Sequence, residues 1–284
     1  MFPIIQKEVL AETISRFVIH APFIAPKRKP GMFVMLRINE HGERIPITLV
    51  DSDPKAGTIT LIVQGIGRTT KELLTMNAGE SLSDVVGPLG NPTPIVKEKT
   101  VACVGGGVGT AELLPITRAL REAGNIVHSI VGARNKELVI LEKEMGACSD
   151  FLYITTDDGS YSKKGFVTDQ LKELLDVEKG IEVVYAIGPL PMMKAVSNLT
   201  RPYGVKTYVS LNAIMVDGTG MCGGCRVSVG GKMKFACVDG PEFDGHEVDF
   251  DEMLMRNRSY LESERTSLQQ YEERGHICRL EATL

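Results

Sequence analysis

Between Thr100 and Leu211, short apolar runs alternate with helix-forming stretches, and this alternation admits few folds. Strand-type runs occupy Thr100–Val104, Asn125–Val131, Phe151–Thr155, Glu182–Ile187 and Thr207–Leu211. Helix-type stretches at Thr110–Ala123, Lys136–Met145, Thr168–Leu175 and Pro191–Asn198 lie between them. Parallel strands need a crossover connection, and a helix is the usual one, so this pattern predicts a doubly wound α/β sheet.

The first of these strands runs into Gly105-Gly106-Gly107-Val108-Gly109-Thr110, and a helix follows. Glycines let the backbone turn sharply and approach a diphosphate, while the helix start offers free N–H groups and the positive end of its dipole. Strict G-x-G-x-x-G fails because Thr110 takes the third glycine's place, and no Gly-Lys-Ser/Thr follows to make a Walker loop. Alone, the turn would be read equally well as a plain connection. At the head of a whole doubly wound domain, it favours a nucleotide. Two further turns fall on the same carboxyl edge, where such sheets bind ligands. They are Thr156-Asp157-Asp158-Gly159-Ser160 and Gly188-Pro189-Leu190-Pro191-Met192. Arg134 follows the second strand, where an adenosine ribose would lie; it is either a 2′-phosphate ligand or a solvated loop charge.

Upstream, residues 1–97 read as strands. Lys7–Ala21, Gly31–Asn39, Arg44–Asp51 and Gly57–Gly65 are Ile-, Val- and Thr-rich runs broken by Pro and Gly, which suggests a small antiparallel β-barrel. A helix interrupts them from Thr69 to Leu74, opened by a hydroxyl residue. The chain thus divides into 1–97, 98–211, a Gly/Cys-rich segment 212–250 and a charged helical tail 251–284. Its 284 residues suit about two domains. A net charge of −4 lacks the basic excess of a nucleic-acid or membrane-surface binder. No run reaches the ~18 apolar residues of a membrane span, and Lys7 and Glu8 interrupt any signal-peptide core, so a soluble cytoplasmic protein is expected.

Of six cysteines, Cys103, Cys148 and Cys278 are scattered and read as buried or incidental thiols. The other three form Asp217-x4-Cys222-x2-Cys225-x11-Cys237. Plant-type [2Fe–2S] loops run Cys-x4-Cys-x2-Cys with a more distant fourth cysteine, and this segment fits that spacing with Asp217 in the first place. Glycines at 218, 220, 223 and 224 would let a short loop wrap a cluster and turn N–H groups toward its sulfides. A zinc site of three thiolates and a carboxylate, or with His246, remains open, although zinc ribbons pair two Cys-x2-Cys knuckles and only one is present.

The order of barrel, nucleotide domain and cysteine loop resembles the ferredoxin–NADP reductase superfamily. Met215–Cys225 and Phe235–Pro241 are most similar to the electron-transfer subunits of class 1B dihydroorotate dehydrogenases. Within that branch, Asp217 in a cysteine's place resembles the small, NAD-side subunits of NADH-dependent reduced ferredoxin:NADP oxidoreductases, also described as sulfide dehydrogenase subunits. The resemblance implies FAD on the barrel. The family's flavin signature falls on Ile45-Pro46-Ile47-Thr48, with Ile45 where an arginine is usual and Thr48 beside the flavin ring. Ile62-Val63-Gln64 and Gly67-Arg68-Thr69-Thr70 match the stretches that hold ribityl and diphosphate. Ile187 stands where relatives often place a cysteine facing the nicotinamide, and NAD(H) is favoured as the dinucleotide.

The resulting expectation is a flavin-linked oxidoreductase subunit. Gly105, Gly106, Gly107, Gly109, Thr110, Arg134, Asp157, Gly188, Pro189 and Met192 would hold NAD(H). The flavin set is Pro46, Ile47, Thr48, Ile62, Val63, Gln64, Gly67, Thr69 and Thr70, and the cluster set is Asp217, Cys222, Cys225 and Cys237. The resemblance further implies a larger flavo-iron–sulfur partner that handles ferredoxin and NADP(H) in an electron-bifurcating heterodimer. The alternatives are a dihydroorotate dehydrogenase electron-transfer subunit, a self-sufficient NADH:acceptor reductase and a zinc-stabilised nucleotide-binding regulatory module.

Overall fold

Phe2–Ala11 and Ile14–His20 form an antiparallel hairpin that turns at Glu12-Thr13. The sequence suggests one continuous strand there, because the turn carries no Gly, Pro or Asn to mark it. The computed structural model describes residues 1–281, with side-chain surroundings through Glu273; Cys278 and the end of the expected tail lie outside the described side chains.

Two antiparallel sheets make the N-terminal barrel. One runs in the order Asp51–Asp53, Thr58–Gln64, Ile14–His20, Phe2–Ala11, Ser81–Leu82, and the other Ile45–Thr48, Phe33–Arg37, Asp84–Leu89. Alternate residues of these strands point inward, burying Phe17, Ile19, Leu36, Ile59 and Leu61 in one core. The helix Arg68–Thr75 closes the barrel with Leu73. Its start is fixed by Thr70, whose Oγ1 accepts the backbone N–H groups of Ile66 at 3.0 Å and Gly67 at 3.1 Å.

The second domain is a seven-stranded sheet ordered Lys163–Lys164, Phe151–Thr156, Ile126–Ala133, Thr100–Gly106, Ile181–Ile187, Lys206–Ser210, Glu242–Asp244. All neighbours are parallel except the last pair, in which Tyr208 opposes Asp244. The strand order reverses at Thr100–Gly106, where Val104 pairs with Ile130 on one side and Ala186 on the other. This switch point is where the glycine turn opens. Val101, Ala102, Cys103 and Val104 are fully buried, as a central strand covered on both faces requires.

Helices Gly109–Glu122, Val167–Val177 and Leu190–Thr200 follow the expected crossovers. The stretch Lys136–Met145 does not form a single helix. A short turn at Lys136–Leu138 gives way at Leu141, with φ +58°, before the helix Glu142–Ala147 begins. Ile140 and Leu141 both enter the core, and the left-handed backbone at Leu141 is incompatible with a continuous right-handed helix.

Beyond Ser210 the chain builds a hairpin, Arg226–Val229 with Lys232–Phe235, and the short helix Ala236–Asp239, then lends Glu242–Asp244 to the nucleotide sheet. One core runs through all three segments, joining Phe33 and Met35 of the barrel to Val104 and Val209 of the sheet and to Met215, Cys225 and Cys237. The helix Phe250–Asn257 packs Met253 into it, and Asp249 caps that helix by accepting the Glu252 N–H. The helix Leu261–Glu281 meets the barrel helix through a Lys71–Glu272 ion pair of 2.5 Å. No helix among the described residues is long and apolar enough to cross a membrane.

Candidate cofactor sites

A cleft of 650 Å³ opens over the carboxyl edge of the sheet. Gly106, Gly107, Gly109, Arg134, Asp157, Gly188, Pro189 and Met192 line it, so three separate loops meet as the sequence suggests. Gly109 has no room for a side chain, since a β-carbon there would lie 2.5 Å from the Ile187 carbonyl oxygen. This close approach seats the helix start against the turn after Ile181–Ile187, while the N–H groups of Gly107, Thr110 and Ala111 are taken up by the carbonyls of Gly132, Gly107 and Val108. Gly105 and Thr110 do not line the cleft. They pack beneath the turn, where the buried Thr110 hydroxyl has no hydrogen-bond partner.

A smaller lobe of 180 Å³ adjoins it on the barrel side, lined by Pro46, Ile47, Thr48, Ile62, Val63, Gln64 and Thr70. Gly67 and Thr69 stay outside this lobe. The Thr69 hydroxyl instead donates to the Glu43 carboxylate at 2.7 Å, which turns it away from a diphosphate. Phe33, Met215 and Pro241 complete the wall, so the segment that carries the cysteines touches the same lobe.

Glu112 is a residue that the sequence reading passed over. It stands in the first turn of Gly109–Glu122 and borders both lobes. Burial pushes its carboxyl up to about 7, while the adjacent Thr48 hydroxyl pulls the other way. The available signal was an acid three residues after Gly109, in the otherwise uncharged first half of its helix. Glu242, on the antiparallel edge strand, is pushed up to about 8 by burial, and its Oε1 has no partner.

The cysteine loop falls into two pairs. Asp217 accepts the N–H of Thr219 at 2.6 Å and of Cys222 at 2.8 Å, and these bonds hold its carboxyl below the usual range. Cys225 and Cys237 bring their sulfurs to 3.2 Å, and burial, then the neighbouring thiol, pushes Cys237 up to about 12. Cys222 is exposed, with its Sγ accepting the Gly224 N–H at 3.4 Å. Among the described residues no three His, Cys, Asp or Glu side chains converge on one ion. Only Cys225 and Cys237 bring sulfur to sulfur; Asp217 meets Cys222 through the Cys222 backbone N–H. His246 does not serve as a zinc ligand here: its Nε2 bonds the Thr200 hydroxyl at 2.9 Å, and Thr200 in turn meets Thr207.

Residues 212–249 match the iron-sulfur cluster binding domain of dihydroorotate dehydrogenase B. The chain is 48% identical over 268 residues to the dihydroorotate dehydrogenase B (NAD(+)) electron transfer subunit homolog of Thermotoga maritima, covering 94% of each. It is 34% identical to the dihydroorotate dehydrogenase B electron transfer subunit of Geobacillus sp. (strain WCH70), over 86% of this chain and 96% of that one. A solved chain from work on flavin-based electron bifurcation in an NADH-dependent reduced ferredoxin-NADP oxidoreductase superposes with a TM-score of 0.91 at 46% identity, over 95% of this chain and 98% of that one. On this sequence identity, carried over nearly the whole length of two domains and a cluster segment, the chain belongs to the family of dihydroorotate dehydrogenase B electron transfer subunits.

Proposed function

We propose that this chain is a flavin-linked electron-transfer subunit that passes electrons between NAD(H), FAD and a [2Fe–2S] cluster, to or from a larger partner subunit. One observation carries the reading: Met215 and Pro241, which bracket the cysteine loop, wall the same lobe as Thr48, and that lobe adjoins the glycine-turn cleft. The two lobes share wall residues, and the cysteine loop begins two residues after Met215.

In this reading the N–H groups of the glycine turn hold a dinucleotide diphosphate, and Gly188, Pro189 and Met192 shape the wall against its nicotinamide end. Pro46, Ile47 and Thr48 line the flavin position, with Thr48 beside the ring; Ile62, Val63 and Gln64 line the ribityl path, and Thr70 organises the helix start at the diphosphate. Gly67 and Thr69 are left with a supporting role. Bound FAD would supply the exchange between two-electron hydride and single electrons that nicotinamide and iron–sulfur chemistry require. Asp217, Cys222, Cys225 and Cys237 are the ligands we assign to the cluster, in the two pairs described. Glycine N–H groups around them favour the reduced, more negative cluster.

Asp217 and the 46% identical bifurcating relative favour an NADH-dependent ferredoxin:NADP oxidoreductase complex, with ferredoxin and NADP(H) handled by the partner. The name shared by the other relatives supports the second reading, a dihydroorotate dehydrogenase partner. Thiolate ligands that must stay reduced suit the cytoplasm.

The test is a visible spectrum of anaerobically purified protein before and after NADH, with iron and zinc assayed on the same sample. Flavin bands and a broad iron–sulfur absorbance that both bleach are the expected result. A colourless zinc protein overturns the reading. Co-purification with a partner that makes orotate, rather than one that reduces NADP, selects the second reading.

A further inference from the structure

Six residues border both lobes: Gln64, Ile66, Val108, Glu112, Ser210 and Asn212. Glu112 alone among them can change charge near neutral pH. We propose that Glu112 sets the preference of the cleft for oxidised over reduced nicotinamide: its carboxylate at the junction of the lobes attracts the cationic oxidised ring, and its protonated form lacks that attraction. The inference rests on the nicotinamide reading of the larger lobe.

The physical basis is charge. The oxidised nicotinamide ring carries a positive charge and the reduced ring none, so a nearby carboxylate stabilises one and is neutral toward the other. In a partly buried cleft, such an interaction is several times stronger than in water. Among the described residues no Lys or Arg lies within ion-pair distance of Glu112, so its charge is not already neutralised. Arg118, further along the same helix, is held by Asp51 at 2.8 Å. The Glu112 carboxylate instead helps to keep Glu242, on the edge strand, protonated, so Glu242 is neutral over the range in which Glu112 ionises. Arg134 and Asp157, of opposite charge, line the cleft on the loops after the second and third strands. The raised proton affinity of Glu112 brings its ionisation into the neutral range.

By linkage, the preference is reciprocal: oxidised nicotinamide draws a proton off Glu112 and a neutral ring does not. The experiment uses the flavin-loaded full chain with flavin oxidised, titrated with NAD(+) and with 1,4,5,6-tetrahydro-NAD, a neutral-ring analogue that cannot donate hydride. The ratio of their affinities is measured from pH 6 to pH 8. It is expected to move about tenfold toward NAD(+) as pH rises, the change that one unit of pKa shift produces. Glu112→Gln, or Glu112→Ala should the first fail to fold, is expected to flatten the profile. A flat wild-type ratio overturns the proposal, as does a pH dependence that survives at position 112 or is lost in Glu242→Gln instead. Failure of both ligands to bind at every pH overturns the nicotinamide reading as well.

Discussion

A β-carbon on Gly218 would lie 2.6 Å from Cγ of Met35, so the cysteine loop is pressed against the barrel at its first glycine. Gly218 also has φ +77°, which other residues adopt only at a cost. Gly218→Ala is expected to destabilise the chain by about 3 kcal/mol, from backbone strain and overpacking together. Iron content should fall with it. Thermal unfolding and iron assay check this, and unchanged values would mean that the loop does not need its seat on the barrel.

Asp217 is a second point of leverage. An oxygen ligand is harder than thiolate, so the all-cysteine set should give a different potential. Asp217→Cys is expected to retain a cluster while shifting its midpoint potential and visible spectrum. If both stay as in the wild type, Asp217 only shapes the loop through its bonds to Thr219 and Cys222.

The packing of Gly109 on Ile187 leaves no space for a methyl group. Gly109→Ala is therefore expected to push the helix start off the strand, costing about 2 kcal/mol of stability. NADH affinity should weaken by about tenfold or more through displaced N–H groups. Equilibrium unfolding and nucleotide titration measure the two effects separately.

Glu242 governs a pH effect on folding. Its proton affinity is raised in the folded chain, to about 8, so the folded state keeps a proton that the unfolded state releases near 4.5. Its contribution to stability is full below that lower value, falls as pH rises toward 8 and then levels off. Relative to wild type, Glu242→Gln should gain on the order of 2 kcal/mol between pH 5 and pH 8.5. Chemical denaturation of both proteins across that range reads the difference. Parallel wild-type and variant curves would show that Glu242 is solvated.

The three loop cysteines differ in access. In protein stripped of iron, iodoacetamide should modify the exposed Cys222 well before the buried Cys225 and Cys237. Peptide mass spectrometry against time gives the order, and simultaneous labelling would show that the loop opens without its metal.

Periodic and local features were legible in the chain's residues alone. Alternating strand and helix periods specified the parallel sheet, and Gly105–Gly109 marked its switch point, because backbone turns and buried strands each demand particular residue types. The spacing from Asp217 to Cys237 announced the cysteine loop for the same reason: a ligand set needs fixed residues at fixed intervals. Most of the candidate flavin residues came from a resemblance, since a strand that faces a cofactor has the same alternation as one that faces a core. Features that depend on neighbours distant in the chain emerge only on packing. Thr69 turned to Glu43, and His246 bonded Thr200 away from the cysteines. Glu242–Asp244 became the seventh strand of a sheet begun about 140 residues earlier, and Glu112 came to stand between two lobes built from both domains. Side-chain burial and pairing across such distances leave no local pattern, so only the packed chain shows them.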